Sequence, residues 1–160
     1  MFEGELVAVY LAARNGDEPL PAERVEAVAG QGLVGDRYFQ ATKNAGQKPE
    51  IERVVTLIES EALDAIRRED NMVLEAGRAR RNLLTRGVPL NHLVGREFRV
   101  GDVVLRGLRL CEPCGHLEQL TVEGIRKALC HRGGLRAQIV QGGGLRPGLP
   151  IRPAVAPESD

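Results

Sequence analysis

With 22 basic and 22 acidic side chains in 160 residues, the chain carries no formal net charge, so no global field directs it to nucleic acid or a membrane surface, and a small-molecule partner is expected. The length suits one compact domain that buries a core without staples. Three cysteines are an odd set without disulfide-framework spacing, the N-terminal stretch has acids but no basic residue before its apolar run, and no window is apolar for long enough to span a bilayer, so a cytoplasmic location is expected.

Residues 5–13 are rich in Val and Leu and read as a strand, with Asn15, Gly16 and Asp17 supplying the turn after it. Residues 24–29 alternate polar and apolar side chains, the mark of a half-buried strand, and run into the Gly-rich stretch GQGLVGDRY. There Gly30, Gly32 and Gly35 allow backbone shapes closed to other residues, and Asp36 with Arg37 places a charge pair at the exit. The stretch lacks both the Gly-Lys-Ser/Thr ending of a P-loop and the dinucleotide spacing, which leaves a plain turn and a phosphate cradle as competing readings. Residues 41–52 are polar, contain Gly and Pro and show no period, so a mobile loop in a position to act as a lid is expected.

Residues 53–58 form a short β-branched strand, and Ser60 is the expected cap of a helix over residues 61–70 with Leu63, Ile66 and Arg67 on one face. RARRNLLTR follows at residues 78–86. On a strand, Arg78, Arg80 and Asn82 share one face while Arg81 and Leu83 take the other. Arginine donates two parallel hydrogen bonds to a phosphate or carboxylate and an amide adds directional contacts, so the face reads as an anion site, against the plainer reading of a solvated basic edge. Residues 88–93 suit a helical turn with a partly buried His92, and residues 95–110 read as two paired strands joined at Gly101 and Asp102.

LCEPCGHLEQL, residues 110–120, gathers Cys111, Cys114 and His116. Pro113 suits a turn or the first position of a helix, and Gly115 leaves room for a ligand. Cys114 is therefore expected where a helix begins, a setting that stabilises a thiolate, whereas Cys111 ends the apolar alternation through Val103, Leu105, Leu108 and Leu110 and points into a core. Metal, redox and plain packing readings of the Cys-x-x-Cys pair all stay open. A helix over residues 122–130 follows, with Ile125 and Leu129 on one face and Thr121 as its cap. Gly133 and Gly134 end it, residues 135–141 form a strand, residues 142–144 turn the chain toward a last strand near residues 149–152, and residues 153–160 read as a flexible tail.

Three separated signals, GLVGDRY, RRNLLTRGVPLNHLVGREFRVGDVVLRG, and CEPCGHL followed by HRGGLRAQIVQGGGLRPGLPI, together resemble the MOSC domain, the family named after the C-terminal domain of molybdenum cofactor sulfurase. The resemblance covers residues 4–151 and implies a mainly β, barrel-like fold with short peripheral helices, a single MOSC domain over residues 1–152. It also implies an association with the molybdenum cofactor (molybdopterin) or with sulfur transfer. In the amidoxime-reducing members a cysteine of a Cys-x-x-Cys stretch ligates molybdenum, which maps onto Cys114 as catalytic residue and metal ligand. Their Arg-x-Arg-x-Asn pattern maps onto Arg78, Arg80 and Asn82 as cofactor-binding residues. By the same likeness two glycine loops, residues 32–37 with Asp36 and Arg37 and residues 132–136 with Arg132, Gly133 and Gly134, line the cavity from opposite sides.

A phosphate, a polar pterin and a soft metal call respectively for arginines, amide or backbone donors, and a thiolate, and all three are present. The chain is shorter than the amidoxime-reducing members and lacks their N-terminal β-barrel domain, and Gly148 is followed by Leu149 where relatives commonly have Asp. The leading expectation is a molybdenum-cofactor protein that reduces N-hydroxylated compounds, with a redox or sulfur-donor protein as partner. A persulfide carrier at Cys114 needs an activated thiolate but no metal. A non-catalytic module would bind structural zinc through Cys111, Cys114 and His116 with Cys130 or His131. Pyridoxal phosphate, known from the fused sulfurases, is not expected, because their lyase domain is missing and Lys43, Lys48 and Lys127 have no supporting context.

Overall fold

The structure is a computed structural model that describes residues 1–14, 16–37, 39, 55–113 and 115–154. Its strands are β1 (Gly4–Leu11), β2 (Leu20–Ala22), β3 (Val25–Val28), β4 (Gly32–Leu33), β5 (Val55–Glu59), β6 (Leu83–Arg86), β7 (Glu97–Val100), β8 (Val103–Leu110), β9 (Leu135–Gln141), β10 (Gly143–Leu145) and β11 (Pro150–Pro153). The helices are α1 (Ser60–Asp70), α2 (Gly115–Leu120) and α3 (Ile125–Ala128), with 3-10 turns at Ala76–Ala79 and Leu90–Leu93.

The fold is mainly β, as expected. Strands run in the order β11-β7-β8-β9-β5-β6-β1, and pairing of Gly4 with Ile151 closes these seven into a barrel. Closure leaves no free edge in that set. Every pairing in it is antiparallel except β5 with β6, where Leu57 stands beside Leu83. A parallel pair needs a crossover, which α1 and the Ala76–Ala79 turn supply. A second, three-stranded sheet runs β10-β3-β4.

Alternation along the strands makes two cores. Leu6, Leu57, Leu83, Phe98, Leu105 and Leu135 fill the barrel, while Ile58, Ile66, Leu84, Leu117, Ile125 and Leu129 lie between the barrel's outer face and the helices. That is why β5 is buried on both faces from Val55 through Ile58. The helix layer thus fixes the chain around Leu117 against the outside of β5 and β6.

Several local expectations are corrected. The helix α1 begins at Ser60 itself, Glu59 is the capping position, and no side chain caps it. It buries Ala62, Ala65 and Ile66 and leaves Arg67 exposed. The RARRN stretch is no strand: Arg78 lies in a 3-10 turn, Arg80 is left-handed at φ 64°, and β6 starts only at Leu83. The helix after Thr121 shrinks to Ile125–Ala128 with Gly124 as its capping position, and the Thr121 hydroxyl donates back to the Leu117 carbonyl at 2.6 Å. Ile125 and Leu129 are fully buried as expected, but His92 is exposed. Residues 143–145 form a strand, and β11 runs through Pro153. The expected loop at 41–52, the beginning of the strand at 53–58 and residues 155–160 of the tail lie outside the described residues.

Candidate functional site

The exit of the Gly-rich loop and the arginine turn meet on the outside of the barrel. The buried Asp36 carboxylate accepts the Ala12 backbone N–H at 3.1 Å and Arg37 Nη1 at 3.4 Å. Arg37 Nη2 in turn donates to the Arg80 carbonyl at 3.2 Å, so the charge pair ties the end of β1 to the arginine turn. The left-handed backbone at Arg80 sends its Nη1 to the Asp17 carbonyl at 2.7 Å, and Arg78 Nη2 reaches the Leu120 carbonyl at the end of α2 at 2.9 Å. Arg78 and Arg80 consequently line one cavity of about 380 Å³ with Gly16, Glu18, Pro19, Leu120 and Thr121. Two guanidinium groups, each donating to a backbone carbonyl, and one exposed carboxylate stand in its wall.

Asn82 has a different part. It is 1% exposed, and its Oδ1 accepts the Thr56 backbone N–H at 3.0 Å and the Thr56 hydroxyl at 3.1 Å. Its Nδ2 donates to the Tyr10 carbonyl at 3.2 Å. The amide is engaged in joining β5 to β1 across β6, directly behind the arginine turn.

Arg136 ends the second glycine loop expected to line the cavity, but the sequence reading did not single it out as a cofactor-binding residue. Its β9 neighbours Leu135 and Ala137 face the barrel core, so Arg136 stands on the outer face, opposite Thr56 on β5 and Arg109 on β8. Its Nη1 is buried and has no hydrogen-bond partner among the described residues. The signal in the sequence was the cation in the period-two alternation LRAQIVQ.

The second glycine loop packs against the cysteine stretch and β5. Arg132 donates to the Ala128 carbonyl at 2.9 Å and pairs with Glu69 at 3.2 Å, locking α3 to α1. A Cβ on Gly133 would lie 2.6 Å from the Cys111 carbonyl oxygen, and one on Gly134 would overlap the Leu57 carbonyl, so both glycines permit close backbone packing. Cys111 is 4% exposed, as its place at the end of the β8 alternation implies. Arg81 links the two segments, donating from Nη2 to the Cys111 carbonyl and from Nε to the Gly133 carbonyl, each at 2.9 Å. Cys114 and the His116 side chain lie outside the described residues; their neighbours Pro113 and Leu117 are buried, and Gly115 opens α2.

The structure therefore brings together Asp36, Arg37, Arg80 and Asn82 in one polar layer with Arg78 at its rim, while Arg132 is turned to Ala128 and Glu69, the Gly133 carbonyl is held by Arg81, and Gly134 packs against Leu57. Residues 28–152 match the family model of the MOSC domain. Among solved structures the chain is similar to the YuaD protein from Bacillus subtilis, with a TM-score of 0.75 and 14% identity over 94% of this chain and 97% of that one. It is also similar to YiiM from Geobacillus stearothermophilus, with a TM-score of 0.69 and 16% identity over 94% and 75% of the two chains. YiiM from Escherichia coli gives a TM-score of 0.63 and 18% identity over 100% and 72%. No curated protein matches the sequence. At these identities the structural likeness speaks for the fold alone.

Proposed function

The chain belongs to the MOSC domain family, and from that premise we propose that it binds the molybdenum cofactor and reduces N-hydroxylated compounds with it. The observation that carries this reading is the convergence of Arg78 and Arg80 on one cavity beside the end of α2, the helix that follows Cys114 in the chain. Arg78 and Arg80 hold the phosphate of the cofactor through charge-assisted hydrogen bonds. Arg136 fits the same chemistry, since a buried guanidinium nitrogen without a partner among the described residues suits an anionic or carbonyl oxygen. Asp36, Arg37 and Asn82 hold the cavity wall in place. Cys114 supplies the thiolate to the metal, whose redox change is the chemistry the bound group contributes.

The test is purification from a host that makes the cofactor, with molybdenum measured by mass spectrometry and released pterin by fluorescence. Both are expected with the wild-type protein, and Arg78→Ala should lower affinity roughly 10- to 100-fold, the scale of one hydrogen bond to a charged group. Cys114→Ser should abolish turnover of a hydroxylamine-type substrate with the fold kept. Wild-type protein that carries neither metal nor pterin, but takes one sulfur from a persulfide donor at Cys114, would reverse the reading in favour of a sulfur carrier.

A further inference from the structure

Away from the arginine cavity, Glu112, Cys130 and His131 place a carboxylate oxygen, a thiol sulfur and an imidazole nitrogen all within 4.8 Å of one another, and all three residues are exposed. We propose that these three side chains form a surface site for a divalent metal ion of the zinc class, independent of the cofactor reading.

The donor set is the first argument. Sulfur, nitrogen and oxygen from Cys, His and Glu suit zinc, and three protein ligands leave a fourth position open for water. Zinc bond lengths in a tetrahedral site put such atoms about 3.3 to 3.6 Å apart, so the exposed side chains have only about 1 Å to close. Two of the donors are already in contact: His131 Nδ1 and Glu112 Oε2 are 2.8 Å apart. An ion bound between them takes the place of the hydrogen at His131 Nδ1, which the neutral ring carries on Nε2 instead, and the Cys130 thiol gives its proton to solvent as it becomes the sulfur ligand, so affinity should fall as pH is lowered.

Preorganisation is the second argument. Glu112 and His131 lie far apart in sequence, yet the Glu112 carboxylate accepts the His131 backbone N–H at 2.7 Å. The segments behind them are bound together by the Cys111 N–H donating to the Gly134 carbonyl at 2.7 Å and by the double bridge of Arg81. His131 is held left-handed at φ 64°, and its carbonyl accepts the Asn91 amide at 2.7 Å. The neighbouring cation, Arg132, is drawn off to Glu69 and Asp70 and does not compete for the carboxylate. The expected zinc set of Cys111, Cys114 and His116 differs from this one, because Cys111 is buried and Glu112 takes its place beside Cys130 and His131.

The experiment titrates the full-length protein, freed of metal with a chelator, with cobalt(II) and then with zinc(II). One ion per chain and a thiolate-to-cobalt charge-transfer band are expected. Cys130→Ser should remove the band, and Cys130→Ser and Glu112→Gln should each weaken zinc binding at least ~10-fold by competition with a chromophoric chelator. His131→Gly should do the same while keeping the fold, since glycine accepts the left-handed backbone. Cys114→Ser should change none of this. Loss of binding in Cys114→Ser, with or without loss in Cys130→Ser, would assign the ion to the Cys-x-x-Cys stretch and overturn the proposal. So would an ion bound without the charge-transfer band, unchanged binding in Cys130→Ser, or no binding to the wild type.

Discussion

Arg81 and Cys111 are joined by a hydrogen bond of 2.9 Å from the guanidinium Nη2 to the backbone carbonyl, and the same guanidinium holds the Gly133 carbonyl at 2.9 Å. One buried side chain therefore crosslinks the cysteine stretch to the loop before β9. Arg81→Met should destabilise the protein by about 2 to 3 kcal/mol, because two carbonyls lose a charged donor inside the fold. Urea unfolding of the variant and wild type gives the value, and a change below half of this would mean that solvent reaches both carbonyls.

Gly134 and Gly95 are both left-handed, at φ 113° and 78°, but only Gly134 faces another backbone. Gly95→Ala should cost about 1 to 2 kcal/mol, the price of the backbone conformation alone. In Gly134→Ala the new methyl meets the Leu57 carbonyl of β5, and the loss should reach at least about 3 kcal/mol or prevent folding. Equal midpoints for the two variants would show that the β5 and β9 contact yields more easily than its geometry implies.

Residues 135–141 and the β7–β8 pair were legible because each carries its own alternation, Leu135, Ala137 and Ile139 inward in one, Phe98 and Val100 inward in the other. The RARRN stretch was not legible in the same way. Counting by two there assumes an extended backbone, and the left-handed turn at Arg80 that breaks it is stabilised from a distance, by Asp17 and Arg37. The shared strand face expected of Arg78, Arg80 and Asn82 therefore does not exist: Arg78 and Arg80 line one cavity by way of the turn, and the Asn82 amide is turned to Thr56 and Tyr10. Gly143–Leu145 was hidden because glycines read as a turn, while the partner that makes it a strand, β3, lies near the other end of the chain.

Asn82 and Thr56 exchange three hydrogen bonds, two onto the amide oxygen and one from the Asn82 N–H to the threonine hydroxyl at 3.1 Å. A double-mutant cycle of Asn82→Ala and Thr56→Val should return a coupling of about 1 kcal/mol, within the range for buried hydrogen-bonded neighbours. Each single variant is expected to lose about 1 to 2 kcal/mol. Additive losses would mean that Asn82 acts mainly through Tyr10.

Glu59 gives the fold a pH dependence of definite sign. Burial raises its pKa above 4.5, the hydrogen bond from the Leu90 N–H at 3.1 Å pulls the other way, and the charge of Glu61 adds to the rise. Between 4.5 and the raised native value the folded protein holds more protons at this site than the unfolded chain does. Stability contributed here is therefore greatest at the acidic end and falls as pH rises through that window, the reverse of a carboxylate held ionised by a cation. Above the window the ionised side chain still accepts from Leu90, but at the cost of partial desolvation. Glu59→Gln keeps an acceptor for that N–H and removes the charge. It should raise the melting temperature modestly at neutral pH, leave it little changed at the acidic end, and flatten the difference curve between the two proteins above the native pKa. Thermal unfolding from pH 4 to 8 makes the comparison. A variant less stable than wild type at neutral pH would show that the ionised carboxylate is the favoured partner of Leu90 and that burial is not the dominant influence on Glu59.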